Sequence, residues 1–166
     1  RDLRTYEEVH EATGLPNVKA CQLLAVMELG RRLFGDGRKH TTQRAIHTPE
    51  DVKNRVADMC QLRKEQLRGL YLNARNHVIH EEAISLGTIT ANLVHPGEVF
   101  RPALQYAAIA VIVVHNHPSG DPSPSDEDIA ITSQLVEAGK LLGITLLDHV
   151  IVAENDFVSL SDYGAV

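Results

Sequence analysis

Apolar residues follow two different periods along this 166-residue chain. Over residues 6–34 they recur at helical spacing, and the run Gly14-Leu15-Pro16-Asn17 interrupts the pattern as a turn between two helices would. Residues 35–48 are polar and have no period. The pattern therefore predicts a small helical segment over residues 1–34, followed by a linker over residues 35–48.

The rest of the chain, residues 49–166, alternates helical and strand-like patterns. Three helices are expected here, beginning at Thr48-Pro49, at His95-Pro96 and at Ser125. Because strands and helices alternate, the predicted class is α/β, one mixed sheet flanked by helices. The predicted helices cover residues 48–64, 95–107 and 125–143, and the predicted strands cover 67–73, 77–84, 89–94, 109–114, 144–152 and 157–160.

The composition is typical of a soluble globular protein, with 43% hydrophobic and 23% charged residues. No apolar run is long enough for a transmembrane helix, so a membrane partner is not expected. Cys21 and Cys60 have no CxxC partner, and we expect two buried, reduced thiols, which favours the cytoplasm. Since Arg1 stands where Met would begin a complete chain, the sequence is expected to be a fragment of a longer protein.

The charge is unevenly distributed along the chain. The first 45 residues hold eight basic and six acidic side chains, whereas residues 46–166 hold eight basic and sixteen acidic ones. An acidic body is a poor match for nucleic acid, because binding of phosphates depends on Lys and Arg. If DNA is a partner, the expected contacts are in the first segment, at Arg31, Arg32, Arg38 and Lys39.

One stretch combines residues that could bind a metal. A wholly apolar strand leads into His115 and His117, whose side chains fall on the same side because strand residues alternate. The Pro- and Gly-rich loop 118–124 then leads to Ser125 and Asp128 at the start of the next helix. Two imidazoles and a carboxylate suit zinc, and three protein ligands leave a position for water, as in catalytic zinc sites. Asp128 has an alternative role, as a partner of Ser125 in a capping box.

Other metal and phosphate motifs do not match. His80-Glu81-Glu82 has no second histidine at the spacing of the HExxH motif. The pair His80 and Glu82 is spaced as in the zinc deaminases, but no Pro-Cys-x-x-Cys follows it. The sequence also contains neither a P-loop nor a GxSxG elbow.

The spacing of His115, His117, Ser125 and Asp128 resembles the JAMM motif of the MPN-domain metalloproteases. Residues 115–152 are similar to the bacterial RadC family, and the likeness extends over about residues 46–166. The resemblance implies a JAMM/MPN sandwich of sheet and helices, related in shape to the cytidine deaminases, for the larger domain. The segment before it resembles the end of the helix-hairpin-helix region that precedes this domain in RadC proteins.

The resemblance also implies a function. One zinc ion per chain would be held by His115, His117 and Asp128, and the reaction would be hydrolysis of an amide or isopeptide bond in a protein or peptide substrate. RadC proteins have long been called DNA repair proteins, so the alternative is a DNA-associated accessory protein in which the domain is a binding or structural module. A third possibility is a pseudoenzyme that binds partners through its surface.

Five further residues receive roles from the resemblance. Glu65, near the start of the first core strand, is the expected general base, and Glu82 in the second strand is the alternative. Ser125 is expected to stabilise the tetrahedral oxyanion. Asp148 and His149 are expected to support the zinc ligands from behind, although a polar pair on a strand is an equally good interpretation.

Overall fold

The computed structural model describes residues 6–34, 45–86 and 94–166 of the chain. The chain divides into two compact units, Arg1–Gln43 and Arg44–Val166. The first unit contains helices α1 (Tyr6–Thr13) and α2 (Asn17–Phe34). Gly14 has a φ of 64°, a conformation that glycine adopts without strain, and it ends α1.

Several residues named from the sequence fall outside this description. Residues 35–44 of the predicted linker and residues 89–93 of the predicted third strand lie outside the described residues, as do the side chains of Arg31 and Arg32. Arg38 and Lys39 belong to that part of the linker. No helix in the described part of the chain has the length and apolar character needed to cross a membrane. The prediction that both thiols are buried is wrong, because Cys21 is exposed and Cys60 is half-buried.

The second unit is built on a five-stranded sheet with the strand order β2-β1-β3-β4-β5. The pair β3–β4 is parallel and the other pairs are antiparallel, which confirms the predicted mixed sheet of the α/β class. A short 3₁₀ helix, Met59–Gln61, follows the first helix of this unit. The elements are α3 (Pro49–Arg55), β1 (Gln66–Leu72), β2 (Val78–Leu86), α4 (Pro96–Gln105), β3 (Ala110–Asn116), α5 (Asp126–Leu142), β4 (Thr145–Val152) and β5 (Phe157–Ser159).

Helix α3 is shorter than predicted. It ends at Arg55 instead of near residue 64. The chain then turns, and Val56 and Met59 are fully buried against the sheet. The chain is already extended at Leu62 and enters β1 at Gln66, so the helix cannot continue to residue 64.

The two faces of the sheet have separate cores. The α5 face carries α4 and α5 and includes Val111 and Val113 of β3. The α3 face carries α3 and includes Ile112 and Val114. Because side chains alternate along β3, His115 belongs to the α5 face.

Helix α5 buries a different stripe from the one that its apolar residues suggest. Ile129 is 46% exposed and Leu141 is 89% exposed, although both are large apolar residues. The buried positions follow the 3.6-residue period, but two of them are polar, which the apolar pattern could not reveal. The buried residues of α5 are Asp128, Ile131, Thr132, Leu135 and Gly139.

Candidate metal centre

Three side chains meet at the end of β3. The Nε2 atom of His115 lies 2.8 Å from Nε2 of His117 and 3.3 Å from Oδ1 of Asp128. Nε2 of His117 lies 3.7 Å from Oδ2 of Asp128. One ligand atom from each residue can therefore be chosen so that all three lie within 4.8 Å of one another. Together these residues could hold a metal ion.

Local structure explains why these side chains converge. His115 is the second-last residue of the buried strand β3 and His117 follows the strand end, so both rings project from the same side. Asp128 lies in the first turn of α5, where Ser125 caps the helix. The backbone N–H and the hydroxyl of Ser125 donate to Oδ2 of Asp128 at 2.8 and 2.6 Å. Asp128 therefore completes the capping box and still directs Oδ1 toward His115.

The donor set fits a divalent metal ion. In a tetrahedral zinc site with bonds of 2.0–2.1 Å the ligand atoms are about 3.3 Å apart. The Nε2 atom of His115 lies 2.8 Å from Nε2 of His117 and 3.3 Å from Oδ1 of Asp128, close to this distance, whereas the 3.7 Å separation of His117 from Asp128 involves the other carboxylate oxygen, Oδ2. Burial lowers the pKa of His115 well below its ordinary value, so its imidazole is neutral and keeps a lone pair for a metal. His117 is half-buried and gives the centre its solvent-accessible side.

A second layer of buried polar groups lies behind His115. Its Nδ1 is 2.8 Å from Nε2 of His149, which is fully buried. Burial lowers the pKa of His149 to about 4, so this ring is neutral near pH 7. Nδ1 of His149 is 2.6 Å from the hydroxyl oxygen of Thr132. The hydroxyl hydrogen of Thr132 is donated to the backbone carbonyl of Asp128. Sequence analysis missed Thr132, which could have been found from its position one helical turn after Asp128.

Asp148 lies on the other face of the sheet, and its side chain contacts the backbone N–H of His149 at 2.7 Å instead of a ligand. Its carboxylate accepts from the hydroxyl of Ser159 at 2.6 Å and from the backbone N–H of Ser161 at 3.1 Å. The reason is an extra residue, Leu147, which shifts the pairing of β4 with β3. After this bulge, Asp148 pairs with a residue of the α3 face, whereas His149 turns toward the α5 face.

The structure places the two candidate bases differently. Leu67 pairs with His115, so Glu65, two residues earlier, lies beside the chain that leaves β3 toward His117. Glu82 lies in β2, two strands away from β3, which is roughly 10 Å across the sheet. Its carboxylate is 2.9 Å from Nε2 of His80.

Asn116, which stands between the two histidines in the sequence, holds the segment that carries Glu65. It is 1% exposed, and its side chain faces away from the histidines on either side of it. Its Oδ1 accepts from the backbone N–H of Gln66 at 2.8 Å, and its Nδ2 donates to the carbonyl groups of Leu62 and Lys64 at 3.4 and 3.2 Å. The metal-binding strand and the segment with Glu65 are therefore linked through one buried amide.

Replacing Asn116 by Ala should loosen residues 62–66. The three hydrogen bonds are lost and buried backbone groups are left without this partner, at a cost of about 1–2 kcal/mol, which corresponds to roughly a 5–30-fold change in local opening. Trypsin should then cleave after Arg63 and Lys64 faster by that factor. Asn73→Ala is a matched control, because Asn73 binds backbone N–H groups in the β1–β2 turn. It should accelerate cleavage after Arg75 instead, and equal cleavage of both variants after Lys64 would contradict the assigned role.

A groove of about 460 Å³ opens beside His117. It is formed by the 3₁₀ helix, the segment after it, the loop after β3 and the turn between β4 and β5. Its walls carry both a positive and a negative side chain. The residues that line it are Cys60, Gln61, Leu62, Arg63, His117, Pro118, Ser119, Gly120 and Glu154.

Comparisons with known proteins show the family to which this chain belongs. Residues 46–165 match the family model described as a RadC-like JAB domain. A UPF0758 protein of Geobacillus thermodenitrificans is 45% identical over 163 residues, which cover 98% of this chain and 71% of the relative. A UPF0758 protein of the archaeon Methanosarcina mazei is 45% identical over 165 residues, which cover 99% and 71% of the two chains. A UPF0758 protein of Shouchella clausii is 46% identical over 159 residues, which cover 95% and 68%.

Proposed function

Because the chain belongs to the family of RadC-like JAB domains, we propose that its second unit is a zinc-dependent hydrolase of amide or isopeptide bonds in peptides or proteins. The observation that carries the proposal is the convergence of His115, His117 and Asp128 at the accessible end of β3. Two imidazole nitrogens and one carboxylate oxygen are the donor types that zinc takes in catalytic sites. The chemistry that zinc supplies at such a centre is Lewis-acid activation, which lowers the pKa of a coordinated water molecule to about 7.

Glu65 is the group that moves the proton in this proposal. Its carboxylate accepts a proton from the attacking water and returns it to the nitrogen of the leaving amine, which cannot depart as an anion. Support comes from the pairing of Leu67 with His115, which puts Glu65 at the same end of the sheet as the ligands. Glu82 is less suitable, because it lies two strands away and its carboxylate contacts His80.

Ser125 has two tasks in this proposal. Its hydroxyl donates to Oδ2 of Asp128 and thereby leaves Oδ1 as the atom directed at the centre. To stabilise an oxyanion, the same hydroxyl must turn from Asp128 toward the substrate oxygen. Its position at the exposed N-terminus of α5 also brings the partial positive charge of the helix to that oxygen.

The groove beside His117 is where the substrate chain would lie. Its volume of about 460 Å³ matches a few amino-acid residues, and Arg63 and Glu154 on its walls offer one charge of each sign. Peptide groups and polar side chains are better suited to this lining than a purely apolar ligand. DNA binding through the first unit stays a prediction of the sequence, since the basic side chains on which it rests lie outside the described residues.

The experiment that tests the function uses the full chain loaded with zinc. It is incubated with a quenched-fluorescent peptide library and, in parallel, with peptides joined through a Lys ε-amino group. We expect cleavage of at least one class, its loss after removal of zinc with a chelator, and its return when zinc is added back. A chain that binds one zinc ion but cleaves neither class would reject the hydrolase and leave a metal-stabilised binding module.

A further inference from the structure

Two of the three metal-binding residues are connected behind the centre by a chain of buried hydrogen bonds. The chain runs from Nδ1 of His115 to Nε2 of His149 over 2.8 Å, and from Nδ1 of His149 to the hydroxyl of Thr132 over 2.6 Å. It ends on the backbone carbonyl of Asp128, 2.6 Å from the same hydroxyl. All four residues are at most 3% exposed, so water does not compete for these bonds.

The chain has only one possible direction when both rings are neutral. A carbonyl oxygen accepts and never donates, so the single hydroxyl proton of Thr132 must point at Asp128. The Thr132 oxygen then has to accept, and Nδ1 of His149 must carry the ring hydrogen. A neutral imidazole has one N–H group, so Nε2 of His149 is an acceptor and Nδ1 of His115 donates to it. The lone pair of His115 is thereby placed on Nε2, the atom that faces His117 and Asp128.

We propose that Thr132 is a positioning residue whose hydroxyl, acting through His149, holds His115 in the tautomer that can bind the metal. This inference rests on the metal-dependent function proposed above. A metal-binding histidine usually donates its second N–H to a carboxylate or a carbonyl, groups that can only accept. Here the acceptor is another imidazole, which could equally well donate. The hydroxyl of Thr132 removes this ambiguity.

Loss of the hydroxyl should therefore weaken the metal site without touching a ligand. In Thr132→Val the side-chain volume is nearly kept, but His149 is free to place its hydrogen on Nε2 and donate to His115. The hydrogen of His115 then moves to its own Nε2 and blocks the lone pair. We expect zinc affinity, measured by competition with a chelator, to fall roughly 10–100-fold, the range found when residues that support a metal ligand are replaced. Thr132→Ser keeps the hydroxyl and should restore the affinity.

A spectroscopic readout separates this role from general destabilisation. In the ¹⁵N-labelled, zinc-free chain, two-bond ¹H–¹⁵N correlations distinguish the two tautomers of each ring. In the unmodified protein both His115 and His149 should carry their hydrogen on Nδ1, and in Thr132→Val both should show mixed tautomers. Ser159→Ala is the matched control, because it removes a buried hydroxyl that bonds to Asp148 on the other face of the sheet. It should change neither the tautomers nor the zinc affinity.

The possible results are distinct. If Thr132→Val binds zinc as tightly as the unmodified protein and keeps both tautomers, the positioning role is wrong while the metal centre stands. If the unmodified protein binds no zinc, the proposed function fails, and the tautomers of the zinc-free chain still decide the inference. If Thr132→Val does not fold, the tautomers of the unmodified protein still test the inference. A hydrogen on Nε2 of His149 in that protein would contradict the proposed direction of the hydrogen bonds.

Discussion

Asp128→Asn should abolish stoichiometric zinc binding, from one ion per chain to none after gel filtration. The replacement removes the only negative charge among the three ligands, yet its amide oxygen can still accept from the backbone N–H of Ser125, so the start of α5 is preserved. The loss of affinity should exceed about 100-fold, because even replacing a residue that merely supports a ligand costs 10–100-fold. The measurement is metal content by elemental analysis together with chelator competition.

The control for this variant lies in the same helical turn. Asp126 is an exposed carboxylate in the first turn of α5, so Asp126→Asn removes the same charge two residues away and should leave zinc binding unchanged. Thermal unfolding adds an independent readout. Zinc at 100 times its dissociation constant should stabilise the unmodified protein by about 2.7 kcal/mol and the Asp128→Asn variant hardly at all. Retention of one zinc ion by both Asp128→Asn and His117→Ala would eliminate the proposed centre.

Glu65→Gln should leave the metal in place and remove turnover. The amide is isosteric with the carboxylate but cannot accept a proton from water, and the loss of a general base typically lowers a rate about 10²–10⁴-fold. The rate is measured on whichever peptide class the zinc-loaded chain cleaves. Zinc content should remain at one ion per chain, because Glu65 is not among the three residues whose ligand atoms converge.

Glu82→Gln is the matched control for Glu65→Gln. It makes the same chemical change in β2, where the carboxylate contacts His80, and it should keep nearly full activity. If instead Glu82→Gln were inactive and Glu65→Gln fully active, the general base would be Glu82. If both variants were active, proton transfer would not depend on either carboxylate and the proposed mechanism would be wrong.

Much of the fold could be predicted from local patterns. Helix α5 begins and ends as expected, because Ser125 caps its start and Gly143, with a φ of 69°, ends it. One prediction failed where packing overrides the local pattern, since α3 ends at Arg55. In α5 the apolar residue Leu141 is exposed. The apolar pattern of α5 does not reveal the buried face, because part of that face consists of polar residues of the candidate site. Asp128 and Thr132 occupy buried positions that apolar residues would hold in an ordinary helix.

Much of the candidate centre could also be located in advance. His115 and His117 end a wholly apolar strand two residues apart, and Asp128 follows one stiff loop later, so strand alternation and helix capping are enough to bring them together. Asn116 was missed because a single polar residue inside a strand has no local signature of what it contacts. The spacing of Thr132 from Asp128 indicates a shared helix face but not the contact with His149. The partners of Asn116 are up to 54 residues away, and His149, which Thr132 contacts, is 17 residues away in β4.

The amino-acid sequence alone determines here whatever depends on neighbours along the chain, namely the alternation of elements, the caps of α5 and the order of the metal-binding residues. Only the tertiary structure decides which side chains support them. Leu147 is an extra residue in the pairing of β4 with β3, and it alone turns His149 toward His115 and Asp148 to the opposite face. If the same residues paired without the bulge, strict alternation from Leu146 would exchange the faces of Asp148 and His149. A bulge exists only in relation to the partner strand, and these histidines are 34 residues apart, so nothing in the local sequence could predict the outcome.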